Sequence, residues 1–158
     1  MAFDPKESLD STDWALLEAL QQDARVSFAQ MGRQLALSPP AIAERVRRLE
    51  DRGLITGYHA AVDPAQLGKH LQVFVQAHVG PKDYAKFKTL VSTLEDVLEC
   101  YHMTGGEAFL LRAGVASVED LEELIRKLSG FGETKTSLVL STTVGRRVFL
   151  APKDALIP

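Results

Sequence analysis

Apolar residues recur at helical spacing in the first third of the chain, and in a mixture of strict alternation and helical spacing after it. Leu16, Leu17 and Leu20 form a first inward stripe, with Asp10 as helix cap and Leu9 before it as a staple onto Trp14. Phe28, Met31 and Leu35 predict a second helix behind a capping Ser27. Ile42, Val46 and Leu49 predict a third, with Ser38 as cap and Pro39 and Pro40 in its first turn, where missing amide protons cost little. Gly53 suits the position just past that helix. The following LITGYHAAVDP, β-branched and aromatic around Gly57, predicts a short β-hairpin or wing.

From Asp63 the pattern changes. Pro64 and Gly68 mark a linker, and LQVFVQAHV then alternates, with Leu71, Val73, Val75, Ala77 and Val79 on one face and Gln72, Phe74, Gln76 and His78 on the other. Tyr84, Phe87, Val91 and Leu94 follow at helical spacing. VLECYHM and AFLLRAGV are two strands separated by a Thr104-Gly105-Gly106 turn. Ser117 caps a helix whose inward side is Val118, Leu121, Leu124, Ile125 and Leu128, and TKTSLVLSTTV supplies a last strand. The order β-α-β-β-α-β is the split-βαβ, ferredoxin-like arrangement. One sheet face is covered by helices. The other, with Phe74, His78, Leu110 and Arg112, is too apolar to stay wet and is expected to meet a second copy.

Two short helices with so tight a joint form a helix-turn-helix, which sets the N-terminal part of its second helix against base edges in the major groove. The third helix offers Pro40, Glu44, Arg45, Arg47 and Arg48 there. Arginine takes guanine O6 and N7 bidentately and glutamate accepts from cytosine N4. Glu44 with Arg48 and Arg47 with Asp51 would also pair on any solvated helix. Arg25, Ser27, Tyr58 and His59 on the flanks are candidate phosphate contacts, and the capping Ser38 is a further candidate DNA-binding residue.

Residues 9–58 resemble the N-terminal module of the Lrp/AsnC (feast/famine) transcriptional regulators. The likeness is carried by Leu9-Asp10, Asp13, Leu16-Leu17, Leu20, Arg25, Leu35, Leu37-Ser38, Arg45-Val46, Arg48-Leu49-Glu50, Gly53, Ile55 and Gly57-Tyr58. The βαββαβ order is similar to the same family's C-terminal domain, often called RAM. The resemblance implies an α+β chain: a winged helix-turn-helix over 1–62, a linker over 63–72, a ferredoxin-like oligomerisation and effector domain over 73–150, and a tail over 151–158. It implies double-stranded DNA as partner, a homodimer assembling to an octamer, and a small effector, usually an amino acid, bound near the loop between the second and third strands. Here that loop is Met103, Thr104, Gly105, Gly106, Glu107 and Ala108. The family pattern, roughly T/S-G-x-x-D, keeps Thr104-Gly105 but has Ala108 at the aspartate position. A methyl group cannot accept the hydrogen bonds of a carboxylate, and Glu107 would point to the opposite side of an extended strand. An altered ligand preference, or no amino-acid response, follows. Thr134 and Thr136 match the family's G-V-x-x-T-x-T stretch and are expected to line the same cleft.

Composition narrows the function further. The net charge is −3, and up to Asp63 the chain carries seven bases against ten acids, so its DNA-reading half is the acidic one. Positive charge is local to Arg25, Arg33, Arg45, Arg47 and Arg48, and nonspecific affinity of one copy should be weak. Cys100 is the only cysteine, which excludes an intrachain disulfide and a thiolate metal cluster, and it is expected to be a buried small hydrophobe. No cofactor or metal is expected. The four histidines, His59, His70, His78 and His102, fit no metalloprotease spacing, and no phosphate loop or nucleophile elbow is present. No run is long enough to span a membrane, and the first ten residues lack the basic and apolar regions of a signal peptide, so a cytoplasmic protein is expected. Two other classes stay open. One is an architectural DNA-compacting protein; the other is a sirohaem-decarboxylase-like enzyme binding porphyrin carboxylates through His78, His102 and Arg112.

Overall fold

The computed structural model describes residues 9–106 and 108–152. Expectations on the first residues, on the orientation of Glu107 and on most of the 151–158 tail lie outside that range. The chain forms two compact units, one from residues up to Ala60 together with those from Val144 onward, the other from Ala61 to Thr143.

The first unit is built on three helices: α1 (Ser11–Gln22), α2 (Phe28–Leu35) and α3 (Pro39–Asp51). Asp10 caps α1 by accepting from the Asp13 amide at 2.7 Å, and the Asp13 side chain reaches back to the Asp10 amide, completing a capping box. Ser27 and Ser38 cap α2 and α3. Leu16, Met31, Ile42, Val46 and Leu49 are the buried centre, with Leu9, Leu17, Leu20 and Leu35 packed on it. Phe28 departs from its expected place: at the first position of α2 it stays 40% exposed, and Met31 one turn later fills the core. The α2–α3 joint closes by Leu37 N–H donating to Gly32 O at 2.9 Å. A Cβ on Gly32 would stand 2.5 Å from the Leu37 carbonyl oxygen, so only glycine permits a turn this close.

The expected wing does not form. Residues 54–63 carry no strand, because Leu54 and Ile55 spend their amides on the Leu49 carbonyl at the end of α3 and no strand among the described residues pairs with the rest. After Val144 the chain returns to the first unit. The Gln21 carboxamide makes two bonds to the Phe149 main chain, accepting its N–H at 2.9 Å and donating to its carbonyl at 3.0 Å. By their contacts the residues from Val144 onward group with the helices.

The second unit contains β1 (Leu71–Ala77), α4 (Tyr84–Val91), β2 (Val97–His102), β3 (Phe109–Val115), α5 (Val118–Ser129) and β4 (Thr134–Leu138), with 3-10 turns at Pro64–Leu67 and Pro81–Asp83. The sheet order β2-β3-β1-β4 is antiparallel throughout, as the ferredoxin-like arrangement requires. Val73, Val75, Ala77 and Val79 face the helices, where Phe87, Leu124 and Leu128 cover them. Two expectations fail at the margins of this core. Val118, at the first position of α5, is 58% exposed. Cys100 is exposed on the outer strand β2, where a groove lined by Lys88, Val91, Ser92 and His102 separates that strand from α4.

Candidate DNA-reading face and effector loop

Ser38 Oγ accepts the Ala41 N–H at 3.4 Å, and Pro39 and Pro40 have no N–H to offer. The start of α3 therefore presents few amide donors to a phosphate, and contacts there must come from side chains. Pro40, Glu44 and Arg47 recur at one-turn intervals and are exposed, as is Arg48 beside them. Glu44 and Arg47 pair at 2.8 Å with both side chains 64% exposed, so either can exchange its partner for a base edge at little cost.

Arg45 is placed differently from the others. Its guanidinium turns inward and meets Asp10 at 2.7 Å and Asp13 at 2.7 Å, while only 4% of the Asp13 side chain is exposed. Arg48 reaches the same Asp13 at 3.3 Å but keeps half its side chain exposed. Asp13 thus ties the start of α1 to the middle of α3. Burial pushes the Asp10 carboxyl up, but bonds from the Asp13 amide and from Arg45 outweigh it and hold the group below the ordinary range. The sequence marks Asp13 only as a helix-start residue, because two arginines more than thirty positions away converge on it only after folding.

The flanking candidates are spread more widely. Arg25 is exposed, with its main-chain N–H bonded to Asp23 at 2.8 Å. Ser27 Oγ accepts from Gln30 N–H at 3.1 Å, which leaves its hydroxyl proton available. Tyr58 donates to Glu50 at 2.8 Å, and its phenol is pushed up to about 12 by burial and then by that bond. With its proton committed, Tyr58 donates to a phosphate only by leaving Glu50.

At one end of the sheet, Met103 N–H donates to Ala108 O at 2.9 Å and closes the loop between β2 and β3. Thr104, Gly105 and Gly106 are exposed, Gly105 has φ 116°, and Ala108 is buried. His78 Nδ1 lies 2.6 Å from Gly106 O, so it carries the proton, and the His78 main-chain N–H donates to Glu133 O at 2.8 Å. A Cβ on Gly132 would stand 1.9 Å from His78 O. His78 thereby joins the β2–β3 loop to the start of β4, where Thr134 sits opposite Ala77; Thr136 lies two residues further along, opposite Val75. Nothing in the spacing of His78 along the sequence indicates its contact with Gly106.

On the open sheet face Phe74 is 38% exposed and stands opposite Arg112, which pairs with Glu99. Arg112, with Tyr101, holds the Glu99 carboxyl below the usual range. His102 pairs with Phe109 across the strands and stacks on its ring, on the helix-covered side. His78 and Arg112 therefore do not share a face with His102, which separates the three groups a porphyrin-binding site would need.

Comparison with known proteins agrees with both halves. Residues 9–50 match the family model described as AsnC-type helix-turn-helix domain, and residues 72–149 match the Lrp/AsnC ligand binding domain. The chain is similar to the HTH-type transcriptional regulator LrpC of Bacillus subtilis, 37% identical over 133 residues, covering 84% of this chain and 92% of the relative. The LrpC structure superposes with a TM-score of 0.83 at 35% identity, over 89% of this chain and all (100%) of that one. The leucine-responsive regulatory protein of Escherichia coli is 35% identical over 143 residues, covering 86% of this chain and 87% of the relative. The feast or famine regulatory protein of M. tuberculosis complexed with L-methionine gives a TM-score of 0.83 at 30% identity, over 91% of this chain and 100% of that one.

Proposed function

The chain belongs to the Lrp/AsnC family of transcriptional regulators, and from that premise we propose how its own residues read DNA, assemble and respond to a ligand. Pro40, Glu44, Arg47 and Arg48 form the base-reading stripe of α3. Arg45, also a candidate by sequence, works from behind by tying α3 to Asp10 and Asp13. Arg25, Ser27 and Tyr58 are flanking phosphate contacts. The observation that carries this reading is the exposed Glu44–Arg47–Arg48 surface on a helix whose opposite side is locked into the core.

The working form is a homodimer assembling to an octamer in the cytoplasm, with the open sheet face around Phe74 as the contact between copies. The exposed apolar residues of that face support this, as does the weakness expected of one acidic module on a polyanion. Among the described residues no helix is long and apolar enough to cross a membrane. The reading is of a regulator rather than an enzyme.

A small metabolite, an amino acid by analogy with the L-methionine complex, binds at the loop of Met103, Thr104, Gly105, Gly106 and Ala108, with Thr134 and Thr136 at its side. Ala108 withholds a carboxylate acceptor, so the ligand preference differs from that of relatives with aspartate there. Coupling arises if the ligand favours one assembly geometry and so changes the spacing of paired reading helices. DNase footprinting on the DNA upstream of its own coding region tests the reading. Protection in patches separated by whole helical turns supports paired modules; uniform protection without boundaries supports the architectural alternative.

A further inference from the structure

The segment after Val144 carries Arg146 and Arg147, both exposed, and among the described residues neither guanidinium has a partner. The Gln21 carboxamide grips Phe149 three residues on, through the N–H at 2.9 Å and the carbonyl at 3.0 Å. This two-point grip imitates the pairing of one strand with another and fastens the segment to the last turn of α1. The two arginines are therefore held on the reading unit although they lie far from it in sequence.

Charge gives the segment a purpose. Residues 1–60 hold seven bases and nine acids, and residues 144–158 add three bases against one acid, which brings the reading unit to neutrality. The cations already on α3 are partly engaged: Arg45 with Asp10 and Asp13, Arg47 with Glu44, Arg48 with Asp13. Among the described residues of this unit, Arg146 and Arg147 are two guanidiniums free to neutralise phosphates. Guanidinium forks fit phosphate oxygens bidentately and carry no sequence information there.

We propose that Arg146 and Arg147, held on the reading unit by Gln21, form a second DNA contact that binds backbone phosphates beside the α3 stripe. The contact supplies affinity without sequence preference, leaving discrimination to α3. It rests on the DNA-reading role proposed above, and the test separates the two.

The test is fluorescence anisotropy of the full chain on two labelled duplexes of equal length, its own upstream DNA and an unrelated fragment, over a series of salt concentrations. Arg146→Ala with Arg147→Ala should reduce the slope of log K against log salt by about 1.8 per bound protomer, since each phosphate contact contributes roughly 0.9. At about 0.1 M salt that corresponds to roughly 60-fold weaker binding relative to the 1 M limit, equal on both duplexes so that their ratio is kept. Lysine at both positions should restore most of the slope, which a packing role for the arginines would not predict. Gln21→Ala, with both arginines present, should lose part of it by freeing the segment. An unchanged slope in the double alanine variant, with the parent protein binding normally, overturns the contact alone. A parent protein that binds neither duplex at low salt overturns it together with the DNA-reading role.

Discussion

Replacing Asp13 by alanine should unfold the reading unit far more readily than any exposed substitution on it. The carboxylate is buried with 4% of its side chain exposed, yet it meets Arg45 at 2.7 Å and Arg48 at 3.3 Å and bonds the Asp10 amide at 3.4 Å. Breaking a buried ion pair by removing one partner costs about 3–5 kcal/mol. Here the stranded partners are less confined, because Arg45 keeps Asp10 and the side chains are 27% and 50% exposed, so both can recruit water. The expected loss is then about 2–3 kcal/mol. Trp14, the only tryptophan, sits in α1, so its fluorescence during urea titration of the full chain reports this unit while the other stays silent. With a slope of about 1–1.5 kcal/mol per molar urea, the midpoint should fall by roughly 2 M. Asp13→Asn, which keeps the shape and one acceptor, should fall by roughly half as much. Glu44→Ala on the exposed pair should move it by less than about 0.5 M. A midpoint shift below about 0.3 M for Asp13→Ala would refute the reasoning, because the carboxylate would then be dispensable to the joint between α1 and α3.

Arg48→Ala should cost about 1–3 kcal/mol of discrimination between cognate and unrelated DNA in competition binding, with sedimentation unchanged; unchanged discrimination would remove Arg48 from the reading stripe. Gly32→Ala forces a Cβ to 2.5 Å from a backbone oxygen that cannot swing aside, so the urea midpoint seen by Trp14 should drop by about 1–2 M. Tyr58 ionises at about 12 against an ordinary 10.0, so its folded-state contribution is full below pH 10 and is lost as pH rises through about 12. In ultraviolet titration Glu50→Gln should move Tyr58 back toward 10.0, only in part, since burial is the larger cause. Phe74→Glu should dissociate the assembly seen by light scattering, because it sets a charge in the middle of the face proposed to join two copies.

The elements were legible where one periodicity governed a whole segment. Ile42, Val46 and Leu49 identify the buried side of α3, and the alternation from Leu71 to Val79 fixes which side of β1 meets the helices. The failures lie where a neighbour outside the segment decides. Residues 54–63 have strand-forming composition, but Leu54 and Ile55 spend their amides on the Leu49 carbonyl at the end of α3 and start no hairpin ladder. Cys100 has a buried residue's chemistry and sits opposite the buried Leu111, yet it lies on an edge strand beside an open groove and is exposed. The candidate DNA surface was legible as a stripe on one helix. The inward turn of Arg45 was not, because it depends on a carboxylate cluster at the start of another helix. The Gln21–Phe149 clamp is out of reach of local reading altogether, with 128 positions between its partners.

The most direct test of the central claim, that this chain reads specific DNA through α3, compares the purified parent protein with the Glu44→Ala, Arg47→Ala, Arg48→Ala triple variant. Fluorescence anisotropy would measure the affinity ratio of each for the upstream DNA and an unrelated duplex of equal length, at two salt concentrations. Salt weakens the phosphate contribution to both duplexes, so a preference that survives the higher salt belongs to base reading. The parent protein should prefer the upstream DNA at both salt concentrations, and the triple variant's affinity ratio should collapse toward unity. Equal affinities for the parent, or a preference untouched by the triple substitution, would contradict it.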